Sequence, residues 1–100
     1  MWHETAWADY EYWQTQDKKT LRRINMLIKD IERNKYTGIG KPEPLKGNLS
    51  GWRSVHIDSA NRLVFQIVGG KIEIYACKGH YTVENAISQY KATSLLQTYQ

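Results

Sequence analysis

Four polar side chains, Glu43, Arg62, His80 and Tyr81, fall where loops or strand ends would expose them. Between them they hold the parts that cleavage of RNA requires. A carboxylate can take the proton from a ribose 2′-hydroxyl, an arginine can hold the phosphate as charge builds, and a histidine can protonate the departing 5′-oxygen. A tyrosine adds a face on which a splayed base can stack. Each also has an ordinary reading: a solvated loop acid, a strand-edge charge, a loop histidine after Gly79 and a sheet-edge aromatic. His3 and His56 carry no stronger signal, and Asp58 reads as a turn residue ahead of Ser59 and Asn61. On the residues alone, an enzyme and a non-catalytic basic RNA-binding module fit equally well.

The elements that must position these groups follow from periodicity. Met1–His3 reads as the stub of an edge strand, and Thr5 as the cap of a helix over about residues 6–16. Ala6, Trp7, Tyr10 and Trp13 form its inward aromatic stripe. Asp17 should cap a second helix over residues 18–34, whose apolar seam is Leu21, Ile24, Leu27, Ile28 and Ile31. Glu43 sits in GKPEPLKGNLSG between Pro42 and Pro44, which excludes a helix and a central strand there. WRSVHI is a strand and DSAN a turn; RLVFQIV and KIEIYACK flank Gly69-Gly70 as a hairpin. That turn pairs Phe65 with Ile74 and Arg62 with Cys77. Helical hairpin first and antiparallel meander second make an α+β sandwich.

Strand parity raises a geometric difficulty. Ile72, Ile74, Ala76, Lys78 and His80 would share one face, and Arg62 the other. His80 can meet Arg62 only if the alternation breaks, and Gly79 is the expected place. The tail 82–100 repeats Val83, Ala86, Ile87 and Tyr90 at helical spacing.

Composition narrows the setting. One hundred residues make one domain with a modest core. No apolar run approaches the ~18 residues of a membrane span, and the mixed, acidic start MWHETAWADYEYW is not a secretory leader. A lone Cys77 allows no internal disulfide and no cysteine metal site, so a reducing, cytoplasmic setting without cofactor is expected. Net charge is +4, and its layout is uneven. The first 17 residues hold Glu4, Asp9, Glu11 and Asp17 but no Lys or Arg; from Lys18 onward the chain is basic. A polyanion or an acidic protein suits that surface, as does a plain solvated helix face.

WADYEYWQTQDKKTLRRINMLIKDIERN, GIGKPEPLKGNLSG, IDSANRLVF and CKGHY, in this order and spacing, closely resemble the YoeB/Txe toxins of the RelE superfamily. The resemblance covers roughly residues 2–81, so residues 1–81 are expected to form the toxin domain and 82–100 an extension. It implies a RelE-like fold, two helices on a twisted antiparallel sheet. It implies a ribosome-dependent mRNA endonuclease that cuts in the A site and halts translation. Its partners would be a YefM-type antitoxin, the ribosome with its mRNA, and often a second copy of the toxin.

Position by position, Glu43 matches the family's general base, Arg62 its transition-state arginine and His80 its general acid. Tyr81 matches the adjacent substrate-placing aromatic, and Lys46 a lysine that contacts RNA. The sequence departs from the family at Val55 and His56, where two arginines are usual, and at Asn61, where a histidine is common. Arg53 and a protonated His56 would partly restore the missing groove charge. These departures keep a non-catalytic blocker of the A site in play.

Overall fold

The structure is a computed structural model, and it describes residues 1–38 and 41–79. Helix α1 spans Glu4–Gln16 and α2 spans Lys18–Asn34, followed by a 3-10 turn at Lys35–Thr37. Four strands follow: β1 Glu43–Pro44, β2 Arg53–His56, β3 Arg62–Val68 and β4 Lys71–Ala76, in spatial order β1-β2-β3-β4. The α+β expectation therefore holds, with two helices packed on one face of an antiparallel meander.

The joint between the helices is Asp17. Its carboxylate accepts from the Lys19 and Thr20 amides (3.1 and 3.2 Å) and from the Thr20 hydroxyl (2.8 Å), starting α2. Its own N–H donates to the Trp13 carbonyl, closing α1. Those hydrogen bonds hold its carboxyl below the ordinary value, the Thr20 hydroxyl contributing most. Ile24, Leu27 and Ile31 are buried, and Leu21 and Ile28 line the edge of the core, as the seam predicts.

Helix α1 departs from expectation in two ways. It begins at Glu4, because Met1–His3 is already fixed beside β4: His3 N–H donates to the Ile74 carbonyl and Ile74 N–H to that of Met1, both at 2.8 Å. Thr5 is therefore not a cap; its hydroxyl donates to the Tyr75 carbonyl at 3.0 Å. Ala6 and Trp13 are buried and Tyr10 packs beside them, but Trp7 is 47% exposed. At ~100° per residue Trp7 lies a quarter-turn off the line through Ala6, Tyr10 and Trp13. It stacks on the Tyr10 ring instead, with centroids 5.7 Å apart.

Gly69 and Gly70 form the hairpin turn with φ of 58° and 78°, the left-handed pair such a turn demands. From there Phe65 pairs with Ile74, as the turn predicts. Next, however, Val64 pairs with Ala76 rather than Tyr75. This bulge moves the break in alternation to Tyr75, ahead of Gly79, and changes the partner of Arg62. Arg62 N–H donates to the Gly79 carbonyl at 2.8 Å, so Arg62 does not pair with Cys77. Ile72, Ile74 and Cys77 face the helices, whereas Ala76 packs on the other face with Leu45, Leu49 and Val64. Strand β4 ends at Ala76, and Gly79 has φ 102°. The backbone is thus irregular at Gly79 as well. The helical pattern expected for 82–100 lies outside the described residues.

Candidate active site

Register decides which candidate residues can meet. Directly opposite residues of antiparallel strands share a face. Glu43 pairs with Ser54, Ser54 with Val64, and His56 with Arg62. Val64 packs with Leu45, Leu49 and Ala76 away from the helices, so Glu43, Ser54, His56 and Arg62 all belong to that face, which is open at Glu43 and His56 and buried at Ser54 and Arg62. Glu43 lies two strands and two residues from Arg62, roughly 12 Å between Cα atoms at standard sheet spacings.

Glu43 is exposed, and its loop is anchored on both sides. Strand β1 occupies the sheet edge, where the missing N–H groups of Pro42 and Pro44 are tolerated. Just beyond it, Leu45 N–H donates to the Trp52 carbonyl at 2.9 Å, and Leu45 and Leu49 are buried. The intervening Lys46 is exposed at the start of a 3-10 turn, three residues from Glu43.

Arg62 is 5% exposed, not the open edge charge its position in the sequence suggests. Its Nη1 donates to the carbonyls of Asp58 (2.9 Å), Asn61 (3.2 Å) and Ser59 (3.4 Å), so the β2–β3 turn wraps the guanidinium. That turn is built on Asp58, whose carboxylate accepts from the Ala60 and Asn61 amides, both at 2.8 Å. Burial pushes the Asp58 carboxyl up. The hydrogen bonds from Ala60 and Asn61, with the Arg62 charge, outweigh it and hold the group below its ordinary value.

The remaining candidates divide. His56 is exposed opposite Arg62. Val55 is buried in the helix-facing core, so of the Val55-His56 pair only position 56 looks onto the open face. Arg53 pairs with Phe65 on the helix side, its guanidinium 4.3 Å from the Tyr36 ring centroid, and is not brought to the open face. His80 and Tyr81 lie outside the described residues. Among the described residues no group of three or more His, Cys, Asp and Glu side chains is placed to hold a metal ion.

The model of the YoeB-like toxins of bacterial type II toxin–antitoxin systems matches residues 2–81. The chain belongs to this family. Toxin YoeB of Escherichia coli strain K12 is 48% identical over 81 residues, 81% of this chain and 96% of the relative. A YoeB–YefM complex from Staphylococcus aureus superposes with a TM-score of 0.75 at 44% identity, covering 81% of this chain and 94% of that one. A YoeB dimer from the same organism gives 0.74 at 45%, with the same coverage. A more distant structure, YafQ from E. coli strain BL21(DE3), shares the fold at 16% identity and a TM-score of 0.62, covering 79% of this chain and 89% of that one.

The matched span of this YoeB-like toxin contains every candidate residue, and 82–100 lies beyond it. What the residue reading missed is the Asp58–Asn61 turn as the mount of Arg62. A signal for it was present: an Asp at the head of a turn, where its carboxylate can accept the N–H two residues on, is an Asx-turn pattern, and here it leads directly into the arginine.

Proposed function

We propose that this toxin is a ribosome-dependent, metal-free mRNA endonuclease of the cytoplasm that cuts in the A site and stops translation. Glu43 takes the 2′-hydroxyl proton, and the 2′-oxygen attacks the adjacent phosphorus. Arg62 stabilises the charge that builds on the phosphate oxygens, and His80 protonates the 5′-oxygen as its bond to phosphorus breaks. The products are a 2′,3′-cyclic phosphate and a free 5′-hydroxyl. Tyr81 stacks a base, while Lys46 and His56 attract the backbone. One observation carries this reading: by strand register Glu43 and Arg62 share the sheet face turned away from the helices. The YefM complex and the dimer of the S. aureus relatives support a YefM-type antitoxin and a homodimer as partners here.

Mapping mRNA ends on purified stalled ribosomes tests the proposal. New 5′ ends within the A-site codon are expected, resistant to chelator and abolished by Glu43→Gln or His80→Ala. Cleavage unchanged in both variants would remove the assigned roles. Stalling with intact message would make the chain a non-catalytic blocker, an outcome that the burial of Arg62 favours.

A further inference from the structure

Asn61 has no part in the chemistry above, yet it joins both sides of the site. Its Nδ2 donates to the two Asp58 carboxylate oxygens at 3.2 and 3.3 Å. Its Oδ1 accepts from the Gly79 N–H at 3.0 Å, and its carbonyl accepts from Arg62 Nη1. The Asp58 carboxylate can only accept, so it dictates the orientation of the amide: nitrogen toward Asp58, oxygen toward Gly79.

We propose that Asn61 is a positioning residue for the endonuclease reading, on which this inference rests. It locks Gly79, the residue that precedes His80 in the sequence, in register with Arg62. The β3–β4 ladder stops at Ala76, so regular pairing no longer fixes the chain at Gly79. Two bonds do so: Arg62 N–H to the Gly79 carbonyl, and Gly79 N–H to Asn61. The first alone leaves the peptide free to pivot about a glycine at φ 102°, a residue with little backbone preference of its own. The second removes that freedom and ties it to the turn that wraps the guanidinium. Few side chains can replace Asn61. The site needs a donor on one side and an acceptor on the other; aspartate lacks the donor, and serine lacks the reach.

The test uses the full chain on purified ribosomes, with the Gly79 amide followed by 15N NMR. Asn61→Ala should lower kcat for A-site cleavage by about tenfold or more, as small misplacements of catalytic groups do, with KM little changed. Its Gly79 amide should shift and exchange faster. Asn61→Asp sets a second carboxylate against that of Asp58, with Arg62 beside both. It should fail at alkaline pH and recover as the pH falls and a shared proton restores the donor, a profile that loss of packing would not produce. Cleavage by Asn61→Ala at the wild-type rate, or an unmoved Gly79 amide, would overturn the inference and leave the endonuclease reading standing. A wild-type chain that leaves the message intact would overturn that reading itself, and the positioning role of Asn61 with it.

Discussion

Arg62 has a structural duty in the fold and, in the proposed reaction, a chemical one. Burying a guanidinium is costly unless its donors are met, and three carbonyls of a single turn meet Nη1. Replacing it tests both duties. In Arg62→Lys the charge survives, but a compact ammonium lacks the planar fork that could grip the turn and present two donors to a phosphate. Urea unfolding should show a loss of about 1–3 kcal/mol, the usual cost of unmet buried partners. A-site cleavage should fall far more than stability does. A variant as active as wild type would remove Arg62 from the chemistry. The burial was not legible in the residues, because an arginine after a turn looks the same whether the turn leans away or folds over it.

At the scale of elements, the β4 bulge explains why α1 lies where it does. Beyond Ile74 the backbone leaves the regular ladder, and α1 supplies partners at Thr5, Asp9 and Trp13, spaced i, i+4, i+8 along one helix face. The Thr5 hydroxyl donates to the Tyr75 carbonyl and the Trp13 indole to that of Cys77, while the Asp9 carboxylate accepts from the Cys77 N–H at 3.1 Å. Burial pushes the Asp9 carboxyl above its ordinary value, despite the Cys77 hydrogen bond and the Lys78 charge. Burial also raises the Cys77 thiol, to about 12, with the Asp9 charge adding to it, so this sulfur stays protonated.

The sign of the Asp9 contribution follows. A carboxyl with a raised folded pKa binds its proton more tightly in the native state, so its ionisation costs stability as pH rises. Asn keeps the acceptor for Cys77 without the charge. Asp9→Asn should therefore unfold at an equal or higher temperature at pH 7, and the gap should close toward pH ~4, the ordinary carboxylate value. A gap that widens in acid would reverse this account. Helix α2 was fully legible, because its cap and apolar seam are local features of the sequence. The bulge was placed four residues late, because it answers to polar partners on α1 more than sixty positions away.

Across the whole molecule, the sheet separates two surfaces of different use. Glu43, His56 and Arg62 belong to the face away from the helices. Lys18, Lys19, Arg22, Arg23, Lys29 and Arg33 are exposed on α2, on the other side. A strand of message seated on the open face cannot also lie along α2. On the proposed A-site reading, the cations of α2 face a different polyanion, ribosomal RNA. Binding and chemistry should then separate cleanly. Arg22→Glu with Lys29→Glu should raise KM for ribosomes and leave kcat close to wild type, the signature of lost uniform binding. The slope of log affinity against log salt should fall by about one for each phosphate contact removed. Glu43→Gln should do the converse, losing kcat with the salt slope intact. Were the α2 reversals to lower kcat and leave the salt slope unchanged, these cations would belong to the active site after all, and the division between the two faces would fail.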